Sequence, residues 1–192
     1  MTLKKKFTLG FALIMLLALA VMGTYAYLTS ETTPAHNTFT VGNVEISLTE
    51  AAVDEYGDED TTATERVKEN TYKLIPGHSY TKDPTIFVTD DSEDCYVFAK
   101  VEDGLAEIEG EDTIAEQLVN SYGWTALPGV DGVYYQEATG GDVLTVFSYF
   151  TIKDDADVSG YGDAAIDITG YAVQKDGFPT AADAWAATFG AE

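Results

Sequence analysis

Between residues 37 and 174 the chain repeats one pattern: a short run of β-branched and aromatic residues, then a cluster of Gly, Asp, Asn or Ser. Such side chains suit a pleated, half-buried surface, and the clusters supply turns. Residues 37–49 alternate Phe39 and Val41, then Val44, Ile46 and Leu48, with the apolar parity flipping at Gly42 and Asn43. A β-bulge or tight turn produces that flip. Residues 85–89 and 95–101 read as near-continuous strands separated by the polar run 90–94, which predicts a hairpin. Residues 132–136 and 142–152 bracket Thr139, Gly140 and Gly141 and predict a second hairpin, with glycine supplying positive φ. Residues 165–174 form the last clear strand. The pattern predicts an all-β fold, an antiparallel jelly-roll-like β-sandwich.

Two short helices interrupt the strands. Residues 111–120 place Ile114 and Leu118 four apart, with acids in the first turn of the helix. Residues 180–188 start with Thr180 as N-cap and Asp183 three residues on, a short-armed version of the capping box. Phe189 follows Trp185 by four, so both rings can dock on one face, and Gly190 ends the helix.

The first 26 residues are a different physical object. Lys4, Lys5 and Lys6 precede a stretch from Phe7 to Ser30 that holds no charged residue, with a continuous apolar run from 11 to 22. Small residues Thr24 and Ala26 then stand at the −3 and −1 positions of a cut between Ala26 and Tyr27. That order predicts a helical secretory signal peptide over 1–26 and a single domain over 27–192. Left uncut, the same run is long enough to anchor the chain in a bilayer.

Export fits the charge. Residues 27–192 carry all 33 acids and seven of the ten bases, a net charge of −26. So negative a surface repels phosphate, which excludes nucleic acid as a partner and leaves membrane contact to the signal segment before cleavage. Lone Cys95 has no internal disulfide partner and reads as a small buried hydrophobe of a strand, its thiol pKa raised by Asp91, Glu93 and Asp94. The acidic run 54–60 reads as a solvated loop.

Catalytic signatures are missing. His36 and His78 belong to no HExxH pattern, and no GxSxG, P-loop or Rossmann fingerprint occurs. The chain reads as a non-enzyme without a required cofactor. The nearest metal-like pattern places Asp155, Asp157, Ser159 and Asp163 at the first, third, fifth and ninth positions of a calcium loop. Ile166 stands at the twelfth, where a bidentate Glu is expected, so calcium competes with a plain solvent-exposed turn.

Several segments together resemble a known family. Gly23-Thr-Tyr-Ala-Tyr-Leu-Thr-Ser30 ends the signal, and Asn37-Thr-Phe-Thr-Val-Gly-Asn-Val-Glu-Ile46 follows. Leu74-Ile-Pro-Gly-His-Ser-Tyr-Thr-Lys-Asp-Pro84 and Cys95-Tyr-Val-Phe-Ala-Lys-Val101 come next. Residues 172–178 and 184–187 resemble members with a short C-terminal helix. The chain is similar to the TasA/camelysin family, secreted proteins of Gram-positive bacteria whose signals are cut by a SipW-type signal peptidase. The resemblance implies a secreted biofilm-matrix or cell-surface subunit with a jelly-roll fold that polymerises with itself into fibres. It implies that cleavage frees the flexible segment 27–36, in which Tyr27, Leu28, Thr29 and Ser30 serve as a donor strand for the next subunit. Some relatives are described as metallopeptidases, an alternative to which this sequence adds no motif; a monomeric surface-binding module is the third reading.

Two outcomes follow. Intact mass of exported protein is expected to place the mature N-terminus at Tyr27. Subunits at −26 repel, so assembly is expected to strengthen with salt or divalent cations, read by light scattering across ionic strength.

Overall fold

A computed structural model describes residues 43–190. The signal segment, the Ala26–Tyr27 cut, the donor residues 27–30, His36 and the Gly42 half of the expected bulge lie outside the described residues. No helix among the described residues is long and apolar enough to cross a membrane.

Nine strands and two helices follow in order. They are β1 (Ile46–Thr49), β2 (Ser79–Thr81), β3 (Thr85–Val88), β4 (Cys95–Asp103) and α1 (Ile114–Asn120). Then come β5 (Thr125–Ala126), β6 (Val133–Ala138), β7 (Val143–Thr145), β8 (Tyr149–Thr151), a 3₁₀ turn at Val158–Gly160, β9 (Ile166–Gln174) and α2 (Ala181–Thr188). They build a three-stranded sheet in the order β1-β3-β7, a pair β2-β8, and a four-stranded sheet in the order β5-β6-β4-β9. Every pairing is antiparallel.

Strand β4 has no solvent face over its first five residues. Side chains alternate across a strand, so Cys95, Val97 and Ala99 point one way, and Tyr96 and Phe98 the other. The first set joins Ile86, Val88, Trp124 and Phe147 in the larger core. The second joins Leu127, Val133, Val173, Ala184 and Trp185 under α2. Burial on both sides is why the run reads as nearly continuous apolar sequence. Phe98, Tyr171 and Phe189 surround Trp185 with ring centroids 5.1, 5.3 and 5.1 Å away.

The cap expected at Thr180 is formed, and the first helix starts at Ile114 rather than 111, behind a cap at Thr113 that leaves Glu111 and Asp112 ahead of it. Thr113 and Glu116 close a reciprocal box at α1, with Thr113 N–H donating to Glu116 Oε2 at 2.9 Å. At α2 the Asp183 N–H donates to Thr180 Oγ1 at 3.1 Å. Cys95 is fully buried, and its thiol is pushed up to about 11 by burial first, with Asp142 and Asp94 adding to it.

The two hairpins are not formed. β3 belongs to the three-stranded sheet and β4 to the four-stranded one; β6 and β7 are divided in the same way. Residues 90–94 and 139–142 are crossings between the sheets, and they run side by side. Gly141 N–H donates to Val88 O at 3.1 Å, and a Cβ on Gly140 would stand 2.5 Å from Asp90 O. The chain thus forms a bent two-strand ribbon, with β3 paired to β7 before the corner and β4 to β6 after it. A polar cluster marks where the chain turns, but burial decides which sheet it enters.

The expected strand 142–152 is also divided. It breaks at fully buried Val146 and Phe147, and β8 leaves to pair with β2. Gln117, 1% exposed, holds the break. Its Nε2 donates to Asp112 O and Tyr149 O, both at 2.9 Å, and its Oε1 accepts from Ser148 N–H at 3.3 Å. Asp112 is the one non-glycine residue at positive φ among the described residues, at 60°, a conformation this bond helps hold. Gln117→Ala strands three part-buried backbone groups and is expected to lower stability by on the order of 3 kcal/mol, read by urea unfolding.

Candidate strand-acceptor groove

An exposed strand edge carries unmet N–H and C=O groups, so each sheet's flanks must be covered, shortened or used. On one flank they are covered or short. β5 has only two residues. The buried Trp124 indole donates to Thr145 O, on the outward side of β7, at 2.8 Å.

Among the described residues the other flank is open. Thr89 N–H donates to Glu45 O at 3.0 Å, so odd-numbered residues of β1 face β3, and Ile46 and Leu48 turn their backbone groups outward. Only the end of this edge is closed. Glu50 and Val67 exchange two backbone bonds of 2.8 Å. Arg66 staples the same corner through Asp83 Oδ2 at 2.9 Å and Thr49 O at 3.1 Å.

β9 is open along its length. Gly104 N–H donates to Ala165 O at 2.8 Å and Lys175 N–H to Asp94 O at 2.7 Å, so odd-numbered residues of β9 face β4. Ile166, Ile168, Gly170, Ala172 and Gln174 turn outward, and no partner meets their backbone groups among the described residues. Gly170 lets the sheets close in here, since a Cβ at that position would sit 3.3 Å from the Cδ1 atoms of both Ile46 and Ile86.

Between the two edges lies a groove of about 970 Å³. Its walls are apolar where Ile46 and Leu48 face Ile166 and Ile168, with Leu105, Phe150 and Val158 also lining it. One end is polar. Lys82 Nζ contacts Glu50 Oε2 at 2.6 Å with both side chains nearly buried, and Asn70 Nδ2 donates to Glu50 Oε1 at 3.0 Å. Such a pair is strongly coupled to its surroundings, because removing either partner leaves a buried charge, at a cost of about 3–5 kcal/mol. Tyr72 roofs this end; burial first, then Glu50, raises its phenol pKa.

The other candidates assemble no chemistry. Asp157 spends Oδ1 on the Ser159 N–H at 3.0 Å, capping the 3₁₀ turn, and the Ser159 hydroxyl first, then this N–H, lowers its pKa. Among the described residues no three His, Cys, Asp or Glu side chains, Asp155 and Asp163 included, converge as a metal-ligand set. His78 Nε2 meets Tyr56 O at 2.8 Å and packs edge-on against Tyr80, a role in the turn. The acidic run 54–60 is exposed apart from Gly57, and Asp54 Oδ1 organises it by accepting from Tyr56 N–H at 2.8 Å and Asp58 N–H at 3.0 Å.

The groove itself was missed in the sequence, where Ile46, Leu48, Ile166 and Ile168 read only as core-facing strand residues. A mid-strand glycine at 170 was the one local signal, since it marks close approach of another element. No protein-family model, curated protein or solved structure matches this chain.

Proposed function

We propose that this protein is a secreted structural subunit that polymerises by strand donation, the groove between β1 and β9 receiving residues 27–36 of a neighbouring copy. The observation that carries this reading is the pair of edges left unpaired among the described residues on one flank, set around a groove walled in part by Ile46, Leu48, Ile166 and Ile168. An added strand meets backbone groups along β9 and seats alternate side chains between the sheets. Five outward residues of β9 match a donor of ordinary strand length.

The resemblance to the TasA/camelysin family supports the same reading. So does the bent ribbon of β3–β4 against β6–β7, the kind of winding from which a jelly roll is made. Before cleavage the donor is tethered to the signal helix. Signal peptidase frees Tyr27, whose ring and the Leu28 side chain supply apolar groups, while Pro34 lacks the N–H to continue the ladder. A contact of this head-to-tail kind does not close on itself and so extends a filament.

Proline substitution separates the two sides of β9. Ile168 presents its N–H outward, so Ile168→Pro removes no bond to β4 and is expected to lower stability by only about 1 kcal/mol while abolishing fibres. Thr169 faces Lys100, so Thr169→Pro is expected to lower stability by about 3 kcal/mol. Negative-stain microscopy with thermal unfolding reads both. Deleting residues 27–36 is expected to abolish polymerisation too; fibres from the deleted chain would refute strand donation.

A further inference from the structure

The loop leaving β4 builds part of the groove wall. Asp103 pairs with Ile166 at the end of β4, and a Cβ on Gly104 would stand 2.7 Å from Ala165 O, so the loop starts hard against β9. Asp103 Oδ1 accepts from Leu105 N–H at 2.8 Å, and Leu105, 3% exposed, lines the groove. Ile108 and Glu109 N–H both fold back onto Leu105 O, at 2.8 and 3.0 Å.

Glu109 anchors this loop from inside. It is 4% exposed and bridges Ile152 on the extension of β8. Gly110 N–H donates to Thr151 O at 2.7 Å, and Lys153 N–H to Ile108 O at 2.9 Å. Its Oε1 accepts from Ile114 N–H, the start of α1, at 3.3 Å. Asp103 Oδ1 holds the Leu105 N–H and Glu109 N–H holds the Leu105 carbonyl, so the two acids converge at the root of the loop, and the Asp103 carboxyl favours a proton on Glu109.

The charged groups acting on Glu109 are both acids, Asp103 from β4 and Glu116 from α1. From the β8 side, Lys153 turns its Nζ to Glu107 O at 2.7 Å. Burial first, and the Asp103 charge second, push the Glu109 carboxyl up to about 7, against the lowering effect of Ile114 N–H. A carboxyl raised by folding stabilises the fold fully below its ordinary value of 4.5 and loses that contribution as pH rises through about 7.

We propose that the Asp103–Glu109 pair is a proton-operated latch on the strand-acceptor groove. With one proton shared, the 103–110 loop holds Leu105 in the groove wall. With the proton gone, two carboxylates repel inside the fold, the loop lifts and strand capture weakens. The assignment rests on the strand-acceptor reading of the groove.

Glu109→Gln tests it in the full mature chain, because the amide can accept from Ile114 N–H as the protonated acid does and carries no charge to repel Asp103. Asp103→Asn is the second variant, expected to shift the transition to lower pH. In dilute protein, hydrogen exchange corrected for intrinsic rates is expected to quicken about tenfold or more at the Gly110 and Lys153 amides between pH 6 and 8. In Glu109→Gln it is expected to stay flat. At fixed ionic strength, light scattering is expected to show wild-type assembly falling over the same range and the variant's assembly holding. Equal exchange profiles for wild type and variant would overturn the latch. A latch seen in exchange, with wild type and variant polymerising alike at every pH, would overturn its link to the groove. A latch seen in exchange with no polymerisation at any pH would overturn the strand-acceptor reading and leave the latch standing as a loop device.

Discussion

The structure depends on strand β4 being buried on both faces. A strand so placed needs a sheet partner on each edge and a covering layer on each face. β6 and β9 supply the edges, the three-stranded sheet one layer, and α2 the other. This central position passes the problem of unmet hydrogen bonds outward to β5 and β9. One of these is two residues long and the other nine. The difference in length concentrates unmet backbone capacity on a single flank, where β1 adds its own outward groups. The groove is therefore a by-product of how the core is arranged.

Polar groups inside this fold follow the same logic of satisfaction. Among the described residues, no buried side-chain nitrogen or oxygen lacks a partner. Gln117 meets three backbone groups where a strand breaks, Glu50 and Lys82 meet each other at the groove's end, and Glu109 meets α1 and Asp103. Only the last does so through a partner of its own sign. Two acids brought together inside a fold repel unless one holds a proton, whereas the amide and the ion pair work over a wide pH range. That difference in chemistry, rather than depth of burial, sets Glu109 apart.

Much of the local structure was legible in the sequence. β4, β9 and both helices carry signals within their own residues: continuous apolar runs, alternation, the Ile114–Leu118 spacing and the cap at Thr180. The hairpins were not legible, because a run such as 90–94 shows that the chain turns and says nothing about the sheet it turns into. The break at 146–148 depends on Gln117, about thirty residues away. The groove joins Ile46 and Leu48 to Ile166 and Ile168 across most of the domain, a juxtaposition that no short window contains. Glu109 was hidden for another reason: one acid among 33 has no distinguishing pattern until burial and a neighbour select it.

The closed flank has its own consequence for architecture. Among the described residues Trp124 and the two-residue β5 leave no second long edge, so on the strand-donation proposal each copy would offer one acceptor and give one N-terminal segment. Units of that valence would form linear, polar threads that cannot branch, and any network made from them would have to gain its cross-links from lateral contacts between finished threads. Between surfaces this acidic, such contacts would depend on the ions between them.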